Sequence, residues 1–226
     1  MKVIILAAGK GSRLGGKEQP KPLTELATGK SILARQLASI GRYTSLDNVI
    51  VVVGYHKEMI MEQFPDLLYV YNPSFAFENT SKSLLRALKK CQEDVLWLNG
   101  DVVFHDSVLR KVLDTPRTSM VVNEGAVGEE EVKYRKDSQG RILAVSKQVN
   151  APHGEALGIN YCTASDLKLL CEGLEQCDGK DYFERGIELC IDQGMVVWSV
   201  SIDQGLCTEV DFPADLVRAN TMLLSW

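Results

Sequence analysis

The 226-residue chain lacks several features that would place it in a specialised class of proteins. Its six cysteines form no C-x-x-C pair and only three histidines are present, which argues against a structural zinc site and against a disulfide scaffold. No apolar run approaches the roughly 20 residues that a membrane-spanning helix needs. The formal net charge of −5 disfavours general binding to nucleic acids or to membrane surfaces. We expect a cytoplasmic protein with reduced thiols.

The first half of the chain alternates between two sequence patterns. Short β-branched or apolar runs, typical of strands buried on both faces, lie at Val3–Leu6, Val49–Val53, Leu68–Tyr71 and Val95–Leu98. Segments with helical spacing of apolar residues lie between them, at Ser31–Arg42, Lys57–Gln63 and Ser81–Cys91. Ser81 is the expected N-cap of the third helix. This alternation predicts an α/β fold with a mainly parallel sheet and helices on both faces.

The pattern changes after Asp101. Strand-like runs without long helices between them lie at Ser119–Val122, Val132–Arg135, Ile142–Ser146 and Leu157–Tyr161, which predicts an antiparallel or mixed region. Helices are predicted at Val108–Leu113, with Asp106 as the cap, and at Ala164–Leu174, Tyr182–Gln193 and Pro213–Leu224, with a strand at Val196–Val200. Because no linker of Pro, Gly and Ser composition is visible, we predict a single domain over residues 1–226.

A glycine-rich loop with four basic residues follows the first predicted strand. Glycines in such a loop let backbone N–H groups approach a phosphate, and the basic residues are Lys10, Arg13, Lys17 and Lys21. Since the chain is acidic overall, an anionic ligand must be met by a local cluster of this kind.

Two common phosphate-binding motifs fit this loop poorly. The dinucleotide motif G-x-G-x-x-G fails because Leu14 occupies the position of the third glycine. The P-loop pattern fits from Gly11 to Lys17, but Glu18 replaces the hydroxyl that would hold Mg²⁺. Pro20 and Pro22 also interrupt the helix that should follow.

The loop resembles the signature of the nucleotidyltransferases that activate phosphorylated sugars, polyols or choline, which is L-A-A-G-x-G-[ST]-R-[LM] followed by P-K-x-L. Every signature position is filled, by Leu6, Ala7, Ala8, Gly9, Gly11, Ser12, Arg13, Leu14, Pro20, Lys21 and Leu23. The resemblance implies a Rossmann-like, GT-A-like fold with a small antiparallel substrate-binding region. It also implies nucleotidyl transfer from an NTP to a small phosphorylated acceptor, with release of pyrophosphate.

The resemblance assigns roles to residues of this loop. Nucleotide contacts are expected from Leu6, Ala7, Ala8, Gly9, Gly11, Ser12, Arg13 and Lys21. Arg13 and Lys21 are the expected catalytic residues, because both would neutralise charge on the triphosphate. Lys10 and Lys17 remain without an assigned role.

Two aspartates resemble the metal-binding positions of this family. Asp101 follows the apolar run Val95–Leu98, and ligand sites in open α/β sheets lie beyond the carboxyl ends of strands. Asp211 lies in C-T-E-V-D, which resembles the closing W-x-E-[IV]-D element, although Cys207 replaces the aromatic residue. The resemblance implies that Asp101 and Asp211 bind Mg²⁺. A helix N-cap or turn role remains the alternative for either residue.

Further matches imply the rest of the substrate pocket. Asn79 and Ser83 lie in a segment that resembles the N-N-x-x-S-L stretch of cytidylyltransferases and are expected at the nucleotide, with an Asx-turn and helix cap as the alternative for this segment. Lys147, Glu155 and Glu209 are expected at the acceptor. Lys147 would neutralise the acceptor phosphate, and Glu155 would bind a hydroxyl or a cationic head group.

The resemblance also suggests a nucleotide and an acceptor class. Only seven residues separate Arg13 from Lys21, which resembles inositol-phosphate cytidylyltransferases rather than sugar-1-phosphate thymidylyl- or guanylyltransferases. We therefore expect CTP, with phosphocholine, a polyol phosphate or a phosphonate as acceptor, for phospholipid or cell-surface polysaccharide precursors. A sugar-1-phosphate uridylyl-, thymidylyl- or guanylyltransferase and an inactive nucleotide-sensing domain remain alternatives.

The resemblance divides the single domain into two functional halves. Residues 1–101 would bind the nucleotide, and residues 102–226 would bind the acceptor and complete the metal site. No nucleic-acid or membrane partner is expected, and a homodimer formed through the β region after Asp101 is expected from the resemblance.

Overall fold

A computed structural model describes residues 1–14 and 19–226 of the chain. The strands are β1 (Lys2–Ala7), β2 (Val49–Val53), β3 (Leu68–Tyr71), β4 (Val95–Asn99), β5 (Val102–Phe104), β6 (Ser119–Glu124), β7 (Lys133–Lys136), β8 (Ile142–Ser146), β9 (Gly154–Cys162), β10 (Trp198–Ser201) and β11 (Cys207–Glu209). The helices are α1 (Ile32–Ile40), α2 (Lys57–Gln63), α3 (Thr80–Leu88), α4 (Asp106–Leu113), α5 (Leu167–Gln176), α6 (Phe183–Asp192) and α7 (Pro213–Ser225).

The central sheet has the spatial order β10-β6-β9-β4-β1-β2-β3. The strands β4, β1, β2 and β3 run parallel to one another, as do β10 and β6. Strand β9 is antiparallel to both β4 and β6, and the hairpin β7–β8 extends the sheet beside β9. The prediction of a mixed, mainly parallel α/β sheet is therefore confirmed.

Helices cover both faces of this sheet because alternate side chains of β1 point to opposite faces. Ile4 and Leu6 pack in the core shared with α3, α5 and α6. Val3 and Ile5 pack in the core shared with α1, α2 and α4. A strand that is buried on both faces reads as a continuous apolar run, which is why these strands are visible in the sequence.

A second sheet of two short antiparallel strands, β5 and β11, lies beside the main one. The sequence analysis predicts neither strand, because each has three residues and little internal pattern. Val103 of β5, Val210 and Ala219 of α7 share a small core of their own. The backbone amide of Val210 donates to the carbonyl oxygen of Asp101 at 3.0 Å. This pairing places residues 101 and 211 side by side, although 110 positions separate them in the chain.

Two helix starts differ from the predictions. The N-cap of α3 is Asn79, whose Oδ1 accepts a hydrogen bond from the backbone amide of Thr80, whereas Ser81 is buried within the first turn. The N-cap of α4 is His105, whose Nδ1 accepts from the backbone amide of Ser107. Asp106 instead accepts from the Ser39 hydroxyl at 2.6 Å. In the described parts of the chain, no helix is long and apolar enough to cross a membrane.

Candidate active site

A cavity of about 850 Å³ lies beyond the carboxyl ends of β1 and β4. Its walls combine three parts of the chain that the sequence analysis singled out: the glycine loop after β1, the segment Asn99–Asp101 after β4, and the segment from β11 to the start of α7. Strands β6 and β9, the starts of α3 and α6, and the loops that carry Glu130 and Lys147 also contribute to the wall. The position agrees with the general location of ligand sites in open α/β sheets.

The floor of the cavity holds a lysine between two carboxylates. The Nζ of Lys21 donates to Oδ2 of Asp101 at 2.7 Å and to Oδ1 of Asp211 at 2.6 Å. The side chain of Lys21 is only 9% exposed. Burial by itself would lower the pKa of Lys21, but the charges and hydrogen bonds of Asp101 and Asp211 outweigh it and raise the pKa. Lys21 is therefore a cation within this cluster.

Neither aspartate caps a helix with its side chain. Asp101 lies in the turn between β4 and β5, so no helix follows it. At the start of α7, the Oδ2 of Asp215 accepts from the backbone amides of Asp211 at 3.0 Å and Phe212 at 2.8 Å. Because Asp215 satisfies these amides, the carboxylate of Asp211 is available to the cavity.

Glycine at position 11 allows the loop to lie against Lys21. Gly11 has a φ of +57°, and a Cβ at this position would come within 2.7 Å of the Lys21 Cβ. By contrast, a Cβ at Gly9 would meet nothing within 4 Å. We infer that Gly11 makes room for Lys21, whereas Gly9 leaves open space for a ligand to approach the backbone.

The aspartate pair has the chemistry of a site for a hard divalent cation. Both carboxylates already converge on one cationic centre, the Lys21 ammonium, and Oδ1 of Asp101 is buried without a hydrogen-bond partner among the described residues. The described residues contain no cluster of three or more His, Cys, Asp or Glu with metal-binding geometry. Two carboxylates suit Mg²⁺, which is commonly held by one or two carboxylates together with substrate phosphates and water.

Arg13 and Lys147 approach the cavity from opposite halves of the chain and meet at Glu130. The Glu130 carboxylate lies 4.0 Å from Nη1 of Arg13 and 3.3 Å from Nζ of Lys147. Arg13 also lies over the ring of Phe212, at 5.7 Å. Arg13 is expected to bind the triphosphate and Lys147 the acceptor phosphate. Because both contact Glu130, the two cations lie close enough together for one anionic group to reach both.

Glu155 and Glu209 both line the cavity and each has an amide partner. Oε2 of Glu155 accepts from Nδ2 of Asn123, and Oε1 of Glu209 accepts from Nδ2 of Asn99, both at 3.1 Å. Burial raises the pKa of Glu155, and it raises that of Glu209 well above its usual value, with the charge of Asp101 adding to the effect.

Other expected nucleotide contacts are placed less directly. Leu6, Ala7 and Asn79 line the cavity, although the side chain of Asn79 is engaged in capping α3. Ser83 is buried and accepts a hydrogen bond from Asn72, and Ala8 contributes its carbonyl oxygen to the amide of Tyr55. Neither of these two belongs to the cavity wall. Ser12 begins a short 3₁₀ turn, whereas Lys17 and the Gly15-Gly16 pair lie outside the described residues.

Glu130 and Glu184 also line the cavity, although no sequence motif predicts a role for either residue. Glu184 is in the first turn of α6, and its side chain is buried. A glutamate near a helix N-terminus is ordinary in a sequence. Its burial beside the cavity follows from the packing of α6, and no sequence signal marks it.

Comparisons with known proteins agree with this arrangement. A model of the MobA-like NTP transferase domain family matches residues 3–155. CMP-5'-(3-aminopropyl)phosphonate synthase from Streptomyces rubellomurinus is 36% identical over 129 residues, which are 54% of this chain. The UTP–glucose-1-phosphate uridylyltransferase AglF from Haloferax volcanii is 27% identical over 241 residues, 99% of this chain and 96% of that protein.

One solved structure superposes on nearly the whole chain, whereas the relatives found by sequence are matched over different shares of their length. The CTP:phosphocholine cytidylyltransferase from Streptococcus pneumoniae superposes with a TM-score of 0.80 at 17% identity, over 98% of both chains. The chain spans only 20% of the Streptomyces rubellomurinus protein, and 55% of a bifunctional GlmU protein from Methanococcus maripaludis. The family match covers the glycine loop, Lys21, Asp101 and the strands around them, and on these grounds the chain belongs to the MobA-like NTP transferase domain family.

Proposed function

We propose that the protein is a Mg²⁺-dependent nucleotidyltransferase that joins CMP, from CTP, to a small phosphorylated or phosphonate acceptor. The observation that carries this proposal is the convergence of the glycine loop, Lys21, Asp101 and Asp211 in one cavity. In this arrangement backbone amides and positive charge face space for a triphosphate, and two carboxylates lie beside it. The choice of CTP is supported by the similarity to the CMP-5'-(3-aminopropyl)phosphonate synthase from Streptomyces rubellomurinus and by the short spacing between Arg13 and Lys21.

In the proposed reaction, an oxygen of the acceptor phosphate attacks the α-phosphorus of CTP. The new P–O bond forms as the bond from the α-phosphorus to the bridging α,β oxygen breaks, and pyrophosphate leaves with that electron pair. The nucleophile is already ionised at neutral pH, so the reaction needs no general base. None of the described residues that line the cavity is a histidine, which agrees with a reaction of this kind.

Catalysis would depend on charge neutralisation and on positioning, because two polyanions must be brought together. Arg13 offers a planar guanidinium to the triphosphate, and Lys147 offers an ammonium group to the acceptor phosphate. Lys21 offers positive charge at the α-phosphate. Asp101 and Asp211 would hold Mg²⁺, which supplies charge neutralisation of the triphosphate and of the departing pyrophosphate.

The proposal is tested by measuring pyrophosphate release with CTP, UTP, dTTP and GTP against a panel of phosphorylated acceptors. We expect turnover with CTP, a small alcohol phosphate or a phosphonate, and Mg²⁺, and we expect EDTA to abolish it. Turnover with UTP and glucose 1-phosphate, but not with CTP, would replace this proposal with the uridylyltransferase alternative, which the full-length similarity to AglF favours. Release of a nucleoside diphosphate would indicate a kinase. No turnover with any pair would indicate a nucleotide-sensing domain.

A further inference from the structure

Glu131 and Glu184 are the two glutamates of the cavity wall whose Oε2 is buried without a hydrogen-bond partner among the described residues, and of these two only Glu184 is a buried residue. Its side chain is 7% exposed, and Oε2 has no hydrogen-bond partner among the described residues. Glu155 and Glu209 also line the cavity, but each accepts a hydrogen bond from an asparagine amide. Glu184 therefore lines the proposed active site and has a buried acceptor oxygen that no described residue uses.

A buried carboxylate with an unpartnered oxygen is unfavourable for folding. Burial raises the pKa of Glu184 to about 7, because a hydrogen bond from its own backbone amide and the nearby charge of Lys147 offset the burial only in part. The ammonium of Lys147 contacts the Glu130 carboxylate at 3.3 Å and lies 5.3 Å from the ring centroid of Tyr182. The carboxylate of Glu184 is therefore suited to bind a cationic group of a ligand.

Lys147 and Glu184 carry opposite charges, both line the cavity, and they lie close enough for the charge of Lys147 to lower the pKa of Glu184. Tyr182 immediately precedes α6. Its ring contacts Lys147, and Glu184 follows it in the first turn of the helix. A ligand that carried only negative charge would gain from Lys147 but would be repelled by Glu184. A ligand with an anionic end and a cationic end would match both residues.

We propose that Glu184 binds a primary ammonium group of the acceptor while Lys147 binds its phosphate or phosphonate. The acceptor class is then a zwitterionic aminoalkyl phosphate or aminoalkylphosphonate. This inference rests on the proposed function, and it adds the specificity-determining residue and the acceptor charge that the proposed function leaves open.

The unpartnered oxygen favours a primary ammonium over two related groups. A quaternary ammonium has no N–H with which to satisfy Oε2 of Glu184, and it could offer only its charge. A hydroxyl group could donate one hydrogen bond but would leave the carboxylate charge without a counterion. A primary ammonium supplies both the donor and the charge, and charge-assisted hydrogen bonds are stronger than neutral ones.

The test compares three acceptors of similar size in the pyrophosphate assay with CTP and Mg²⁺: 2-aminoethyl phosphate, 2-hydroxyethyl phosphate and choline phosphate. For the wild type we expect kcat/KM with 2-aminoethyl phosphate to exceed that with 2-hydroxyethyl phosphate by about 10- to 100-fold, as for a hydrogen bond to a charged group. We expect kcat/KM with choline phosphate to be lower than kcat/KM with 2-aminoethyl phosphate. Equal use of the amine and hydroxyl compounds, or a preference for choline phosphate, would overturn the proposal.

The variant Glu184→Gln keeps the size of the side chain and removes its charge. We expect this variant to lose most of its activity with 2-aminoethyl phosphate. Its activity with 2-hydroxyethyl phosphate should stay within about threefold of the wild-type value, so the preference for the amine is lost. Glu188→Gln is the matched control, because Glu188 lies one turn later on α6, pairs with Arg185 and is not part of the cavity wall. An equal loss with both acceptors in Glu184→Gln would indicate a structural role and contradict the proposal.

Calorimetric binding of the same acceptors separates this inference from the proposed function. If no NTP and acceptor pair gives pyrophosphate, the proposed function fails. Preferential binding of 2-aminoethyl phosphate to the wild type, absent in Glu184→Gln, would still support the subsite. Equal binding of 2-aminoethyl and 2-hydroxyethyl phosphate by the wild type would exclude it, and that measurement does not depend on whether the variant folds.

Discussion

Lys21 is the residue on which the proposed chemistry depends most. In the structure its ammonium group offsets the repulsion between Asp101 and Asp211, to which it donates hydrogen bonds of 2.7 and 2.6 Å. In the proposed reaction the same positive charge is needed beside the α-phosphate. The sequence signature predicted a catalytic lysine at this position, and the contacts with the two aspartates are visible only in the structure.

We expect Lys21→Ala to lower kcat by about 10²–10³-fold, as the loss of one preorganised charge contact typically does. The variant should also unfold at a lower temperature than the wild type, because two carboxylates would then face each other without a cation. Lys30→Ala is the control, because Lys30 is exposed and lies outside the cavity wall. Near-normal pyrophosphate release by Lys21→Ala would remove this lysine from the mechanism.

Glu184 provides a prediction for the pH dependence of stability. Its pKa is raised from 4.5 to about 7 in the folded protein, so the folded state binds more protons than the unfolded state between these two values. The free energy of unfolding therefore falls as the pH rises through this window. Glu184→Gln should remove this dependence and gain stability relative to the wild type, on the order of 3 kcal/mol above pH 8.

The measurement is urea unfolding of the wild type and Glu184→Gln at pH values from 4.5 to 8.5. The difference between the two proteins reports on Glu184 together with its charge coupling to Glu209, whose pKa the Glu184 carboxylate raises, because Glu155 and Lys147 are present in both. A stability difference that is constant across this range would contradict the raised pKa.

At the scale of elements, a bulge in β9 shapes the cavity wall. Between the pairs Met120–Asn160 and Val122–Ala156 the register of β6 and β9 shifts, so three residues of β9 lie opposite one residue of β6. Gly158 is the central one, with a φ of +65°. A Cβ at Gly158 would come within 2.5 Å of Oε1 of Glu209 and 2.7 Å of Nδ2 of Asn99. The bulge therefore makes room for the Asn99–Glu209 hydrogen bond.

We expect Gly158→Ala to destabilise the protein through both its backbone conformation and this clash. Gly194→Ala is the matched control, since Gly194 has a φ of +95° but a Cβ there would meet nothing within 4 Å. The control should show only the backbone cost of about 1–2 kcal/mol, and Gly158→Ala should lose more stability and also pyrophosphate-forming activity. Equal losses of unfolding free energy in the two variants would contradict a role for the contact with Glu209.

At the scale of the whole molecule, the two halves of the chain share the main sheet and the cores on both of its faces. Residues 1–101 contain β1 to β4. Strand β9 of the second half pairs with β4, with Val95 opposite Cys162 at one end and Leu98 opposite Ile159 at the other. Helix α3 packs on α5 and α6, and the ring of Trp97 meets the edge of Phe183 at 5.8 Å. A core that crosses the division predicts that neither half unfolds independently.

We therefore expect a single cooperative unfolding transition in urea. Far-UV circular dichroism reports on the helices of both halves, and tryptophan fluorescence reports on Trp97 in the first half and on Trp198 and Trp226 in the second. The two signals should share one midpoint. Separate midpoints would show that residues 1–101 and 102–226 are independent folding units. The homodimer expected from the resemblance and the cytoplasmic location expected from the composition remain predictions.

Local sequence patterns are enough to predict the architecture and the family. Strands buried on both faces give continuous apolar runs, and helices give their own spacing, so the positions of β1, β2, β3 and β4 and of the main helices follow from local pattern. The glycine loop is a contiguous motif, and Asp101 lies at a strand end, where a ligand site is expected in such folds. These features depend on residues that are close together in the chain.

Contacts between residues that are distant in the chain depend instead on the three-dimensional packing of the elements. The pairing of β5 with β11 places Asp211 beside Asp101, and the packing of α6 buries Glu184 at the cavity wall. Neither arrangement leaves a local pattern, because a three-residue strand has too little periodicity and a glutamate in a first helical turn is ordinary. The proposed nucleotide site is therefore largely readable in the sequence, whereas the charge that would select the acceptor arises from contacts between segments far apart in the chain.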